Sequence, residues 1–139
     1  MRIRALVRLT GFLIALTGSG AQAAVYEAPV ENNDLIGDIT TIHSQYEDTF
    51  VDIGRRHDLG YRELNLANPK VDPWLPGQGT RIVLPTRYIL PNAPRKGIVV
   101  NLVEMRVYYY PPADSRYAGK VITYPIGIGR EGWGTPLGR

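Results

Sequence analysis

Gly97-Ile-Val-Val-Asn-Leu-Val-Glu-Met-Arg-Val-Tyr-Tyr-Tyr110 is rich in β-branched and aromatic residues and reads as a β-hairpin. Val121-Ile-Thr-Tyr-Pro-Ile-Gly-Ile-Gly-Arg130 then reads as a further strand running into a glycine turn. The sequence closes on Gly132-Trp-Gly-Thr-Pro-Leu-Gly-Arg139. Upstream, residues 87–96 hold Pro91 and Pro94 and read as a stiff linker. A mainly β segment over 97–139 therefore follows something different in kind.

That earlier unit spans 38–86. Asp38 to Ser44 alternates around β-branched residues and suits a strand. Thr49 is a helix N-cap, and Asp52, three residues on, completes a capping box. Phe50, Ile53 and His57 then share one helix face. Gly60 breaks this helix, Tyr61 to Ala67 forms a second one, and Asn68-Pro69 ends it, because the residue before proline is pushed out of the α region. A proline- and glycine-rich loop, Val71 to Gly79, leads to a strand over Thr80 to Leu84. Gly54 falls inside the first helix, where glycine should cost about 1 kcal/mol relative to alanine. A unit this small depends on a few apolar residues.

Residues 24–37 read as an extended lead-in, since Pro29 and the Asn32-Asn33-Asp34 cluster disfavour a helix. Residues 1–23 have the form of a signal peptide. Arg2, Arg4 and Arg8 precede a short apolar run, Leu9 to Leu16, and Ala21-Gln22-Ala23 is a small-x-small cleavage site. The run is too short for a membrane span. Cleavage near Ala23 leaves 13 basic and 13 acidic residues, so the high overall pI reflects the leader. The remainder is asymmetric: residues 24–75 hold ten acids and four bases, residues 76–139 nine bases and three acids. Opposite halves of this kind can face each other across an interface. A neutral chain gives no reason to expect nucleic-acid binding. The sequence has no cysteine, which excludes both a disulfide framework and a thiol nucleophile among these residues.

Two resemblances follow from these motifs. Glu47-Asp-Thr-Phe-x-x-Ile53, Leu64, Asn68, Pro76-Gly77 and Arg81-Ile-Val-Leu-Pro85 resemble a LysM domain over residues 38–86. Glu47, Phe50 and Gly54 stand where that family usually has Gly, Leu and Ala. The resemblance implies binding of peptidoglycan or chitin glycan in a groove between the loop entering the first helix and the loop leaving the second. Carried to this sequence, the glycan-binding candidates are Asp48, Thr49, Phe50, Asn68, Pro69, Trp74 and Gly77. Sugars need hydrogen-bonding groups beside an apolar platform. Four candidates have a second reading: Asp48 and Thr49 as caps, Phe50 as core, and Trp74 as either a sugar-stacking ring or a plug between domains.

The second resemblance covers 97–139. The hairpin and the turn markers Gly127, Gly129, Thr135, Pro136 and Gly138, in that order, resemble the opening of an L,D-transpeptidase catalytic domain. In that family a cysteine thiolate, assisted by a histidine, acylates on a stem tetrapeptide and passes the acyl group to an acceptor amine, on a second stem peptide or a wall-anchored lipoprotein. Both residues lie downstream of the Thr-Pro-x-Gly element, so no catalytic residue is assigned here.

The other chemistry-bearing residues add little. His43 and His57 are the only histidines; they make a poor metal site, and neither metal nor cofactor is implied. Glu47-Asp48 are sequence neighbours that do not face each other as a glycosidase pair must. Gly127-Ile-Gly129 lacks the third glycine and following helix of a nucleotide site.

The expected fold class is α+β: a small βααβ domain followed by the first strands of an incomplete, mainly β domain. The expected protein is the N-terminal, peptidoglycan-binding part of a periplasmic L,D-transpeptidase. The alternative is a stand-alone wall-binding protein. Strands without the rest of their sheet should leave an open apolar face through Ile98, Val100, Leu102, Val107, Tyr109 and Ile126, and fold only marginally.

Overall fold

Thr49 caps the first helix as its side chain requires: the Asp52 N–H donates to Thr49 Oγ1 at 3.2 Å, and the Thr49 N–H donates to Asp52 Oδ2 at 3.1 Å. The computed structural model describes residues 24–30, 33–127 and 129. In chain order the elements are β1 (Ala24–Glu27), β2 (Leu35–Ile36), β3 (Thr40–His43), α1 (Phe50–His57), α2 (Tyr61–Ala67), β4 (Arg81–Leu84), β5 (Tyr88–Ile89), β6 (Gly97–Asn101), β7 (Arg106–Tyr110) and β8 (Lys120–Pro125). The leader over 1–23 and the turn markers Thr135, Pro136 and Gly138 lie outside the described residues.

β3 and β4 pair antiparallel from Thr40 opposite Leu84 to His43 opposite Arg81, and α1 and α2 pack between them in sequence. Phe50 and Ile53 from α1, Leu64 from α2 and Ile82 from β4 are fully buried. His57 is half-buried at the last turn, where burial holds its imidazole below the usual range. Gly54 has a reason that sequence propensity did not show. A Cβ there would lie 2.5 Å from the Leu59 carbonyl oxygen, and Leu59 N–H donates back to the Gly54 carbonyl at 3.0 Å. The chain leaving α1 folds so closely over the helix that only glycine fits.

Strands β6, β7 and β8 form the expected hairpin and following strand, within a four-stranded antiparallel sheet ordered β1-β8-β7-β6. The segment read as a lead-in supplies β1, paired with β8 from Ala24 opposite Thr123 to Glu27 opposite Lys120. Its later residues supply β2, which pairs with β5 inside the segment read as a linker. Tyr88 and Leu90 from that segment are buried, so it is part of the packing rather than a free spacer. Gly37 makes the turn after β2: its φ is +70°, and a Cβ would collide with the Thr86 carbonyl.

One buried cluster runs from Phe50, Ile53 and Leu64 through Tyr88 and Leu90 to Tyr108, Tyr110 and Val121. The sheet's inner face thus joins the same core as the helices. Alternation puts Arg106, Tyr108 and Tyr110 on that face and Val107 and Tyr109 on the other. The outer face remains apolar and partly open, with Ile98 69% and Val100 51% exposed on edge strand β6.

Candidate functional site

Of the seven glycan-binding candidates, four are occupied within the protein. Asp48 is only 6% exposed, its two carboxylate oxygens taking Arg56 Nη1 and Nη2 at 2.7 and 2.8 Å and the Gln45 N–H at 2.7 Å. Those bonds to Arg56 hold its pKa below the ordinary aspartate range. Thr49 is committed to the cap, and Phe50 to the core. Asn68 is buried with its amide fully used: Nδ2 donates to the Leu64 and Val83 carbonyls, each at 2.9 Å, and Oδ1 accepts from Val83 N–H at 2.8 Å. It therefore ties the end of α2 to β4.

The other three, Pro69, Trp74 and Gly77, lie on the loop between α2 and β4. Pro69 and Gly77 are exposed, and the Gly77 carbonyl accepts the Ser44 hydroxyl. Trp74 is 64% exposed. Its position is fixed from beneath: Asp72 Oδ1 accepts the N–H groups of Trp74 and Leu75 at 2.8 and 3.2 Å, and the Pro73 carbonyl accepts Phe50 N–H at 2.8 Å. The indole lies beside the Tyr61 ring, centroids 5.9 Å apart and planes at 34°. An exposed aromatic pair on a braced loop is a platform on which the apolar face of a sugar ring can stack. Tyr61 was legible only as part of a helix face, because its contact with Trp74 depends on how the loop folds back.

Tyr61 also lines a cleft of about 700 Å³ between α2, β5 and the β6–β7 turn. Leu66, Ile89, Val103, Met105 and Ile126 give it apolar walls. Four charged residues line it: Arg62, Glu63, Arg87 and Glu104.

Beneath the cleft lies Arg106, fully buried at the start of β7. Its Nε and Nη2 donate to the two Glu63 oxygens at 3.0 and 2.8 Å, Nη2 also reaches the Asp58 carbonyl at 3.0 Å, and Nη1 reaches Thr123 Oγ1 at 3.3 Å. The guanidinium stacks on Tyr88 with its carbon 4.1 Å from the ring centroid. Burial is the strongest single influence and works against its charge, but the bonds to Glu63 together with the nearby Tyr88, Glu63 and Tyr108 raise its pKa. Glu63 in turn accepts the Gly60 N–H at 2.7 Å, so one carboxylate caps α2 and grips the sheet. Burial of a cation inside a strand was the overlooked signal: Arg106 shares an alternation phase with Tyr108 and Tyr110.

His43 is exposed on β3, and no group of three or more His, Asp or Glu residues is placed to hold a metal ion among the described residues.

No family model matches the chain. It is 38% identical over 117 residues, 83% of its length, to the probable L,D-transpeptidase YcfS of Escherichia coli K12, covering 35% of that protein. It is 36% identical over 133 residues to the probable L,D-transpeptidase ErfK/SrfK of the same strain, 92% of this chain and 41% of that one. A third relative, the probable L,D-transpeptidase YbiS of that strain, is 36% identical over 86% of this chain and 38% of its own length. Over most of its length the chain is thus homologous to proteins named L,D-transpeptidases, of whose length it spans between 35% and 41%.

Proposed function

We propose that this chain is the exported, peptidoglycan-binding part of an L,D-transpeptidase that cross-links the wall or attaches proteins to it. The observation that carries this reading is the homology: matches covering 83% to 92% of the chain take in both the helical unit and the sheet. Residues 38–86 act as a LysM domain that holds glycan. The first strands of the transpeptidase domain follow within 97–139. The stem peptide is the acyl donor, and the acceptor amine belongs to a second stem peptide or a wall-anchored lipoprotein. No cysteine occurs in this sequence, so acyl transfer is assigned to none of its residues. What these residues do is hold and orient the wall polymer, with Trp74 as the principal contact and the Asp72–Pro73 braces fixing its ring.

The site of action is the periplasm, reached through cleavage near Ala23. Edman sequencing of protein from the periplasmic fraction should begin at Ala24; an intact Met1 there would refute the export step. Binding is tested by co-sedimentation with insoluble peptidoglycan. The purified chain should pellet with the polymer, and Trp74→Ala should weaken the association roughly three- to tenfold, the size of one aromatic contact. A chain that stays wholly in the supernatant would overturn the binding role.

A further inference from the structure

Three strongly exposed aliphatic side chains gather in one place. Leu66, Ile89 and Val103 are 71%, 64% and 91% exposed, and all three line the cleft of about 700 Å³ between α2, β5 and the β6–β7 turn. Pro85, Met105 and Ile126 extend the apolar wall. Apolar surface concentrated in a concavity marks a docking site.

The course of the chain supplies the occupant. Pro125 and Ile126, where β8 ends, line the cleft, and the Ile126 N–H donates to the Met105 carbonyl at 2.8 Å. The main chain therefore leaves the sheet along the cleft wall. Gly129 follows with φ +86°, a left-handed conformation that glycine takes without strain. Trp133 stands four residues further on, a reach of at most about 14 Å. Gly132 and Gly134 flank it, so no adjacent side chain obstructs insertion of the indole. Its ring brings a large apolar area suited to walls of aliphatic and thioether groups.

The charges agree with that occupant. Arg130 and Glu131 precede Trp133. In the cleft, Glu63 is consumed by Arg106, and Arg87 pairs with Asp38 at 3.2 Å. Among the described residues, Arg62 makes a weak contact, Nη1 to Met105 Sδ at 4.0 Å, and Glu104 accepts the Tyr108 hydroxyl but makes no salt bridge. Arg62 and Glu104 thus have counterparts of opposite sign in Glu131 and Arg130.

We infer that the cleft between α2 and the β6–β7 turn is an intramolecular docking site for residues 130–139. Trp133 enters between Leu66, Ile89 and Val103, Glu131 faces Arg62, and Arg130 faces Glu104. The docked segment clamps α2 to the end of the sheet, because the walls it bridges belong to each. A separate partner must compete with a segment tethered at the cleft wall, whose effective concentration is on the order of millimolar. The inference needs neither export nor glycan binding.

Trp74 and Trp133 are the only tryptophans in the sequence, so the whole chain carrying Trp74→Phe reports on Trp133 alone. Its emission should be blue-shifted from that of the urea-unfolded chain and shielded from acrylamide at every protein concentration. Leu66→Glu and Ile89→Lys, at exposed positions outside the core, should each return emission and quenching to the unfolded values. Glu131→Arg should lower the docked-to-undocked ratio, read from fluorescence lifetimes, about threefold, the size of an exposed ion pair. Adding Arg62→Glu to that variant should restore the ratio. Emission matching the unfolded chain before any cleft substitution would overturn the site. So would shielding that survives Leu66→Glu and Ile89→Lys, since Trp133 would then be buried elsewhere. Shielding that grows with protein concentration would overturn it too, by making the occupant's source a second copy.

Discussion

Asp48 keeps its charge because Arg56 and the Gln45 N–H surround its carboxylate, and this makes the helical unit sensitive to acid. Its folded pKa lies below the unfolded value of 3.8, so the unfolded chain binds the proton first as pH falls. The stability from this group is therefore complete above pH 3.8 and is lost as pH drops through the folded pKa. Asp48→Asn should cost about 1–2 kcal/mol at pH 7 and flatten the decline below pH 3.8, as measured by urea midpoints across pH. Asn68 carries more, because three bonds end on its amide. Asn68→Ala strands the Val83 N–H inside the protein and should lower stability by about 3 kcal/mol; a loss below about 0.5 kcal/mol would refute its role as the tie between α2 and β4. Both residues were legible from their motif as important, and Asp48 also as a cap. The Arg56 ion pair and the bonds from Asn68 to β4 were not, because the same hydrogen-bonding groups serve a sugar or a neighbouring backbone equally well.

The helices follow local rules closely enough to be read from sequence: Thr49 and Asp52 set the start of α1, Gly60 the break, and Asn68-Pro69 the end of α2. The short strands are a different matter. Ala24–Glu27 and Leu35–Ile36 owe their conformation to partners 93–99 and 52–54 residues away, which no local pattern announces. Gly54 marks the same boundary between local and tertiary reasons. Helix propensity favours alanine there, yet the Leu59 carbonyl occupies the space a methyl would need. Gly54→Ala should therefore destabilise the protein by about 1–3 kcal/mol, as read from thermal or urea unfolding. A stabilised variant would show that the turn after α1 gives way easily. The glycan platform divides likewise: Trp74 stood out in its proline-flanked loop, whereas Tyr61 became its partner only through folding.

At the scale of the whole molecule, sequence reasoning expected a self-sufficient helical unit with a marginal sheet attached. The structure instead runs one core through both, with the Arg106–Glu63 bond linking sheet and helix and β1 protecting the β8 edge. The apolar outer face, with Ile98 and Val100, is open as expected, but the inner face is filled. Removing the carboxylate strands the fully buried Arg106 guanidinium, so Glu63→Ala should cost about 3–5 kcal/mol. A loss limited to the sheet's signals in that variant would mean the two parts fold separately. The most direct test is native-state hydrogen exchange of the unmodified chain, followed at the amides of Ile53 and Leu64 in the helices and Tyr108 and Val121 in the sheet. A shared core predicts that all four exchange through the same opening, with equal free energies and equal denaturant dependence. Exchange of Tyr108 and Val121 through an opening several kcal/mol easier than that of Ile53 and Leu64 would contradict it.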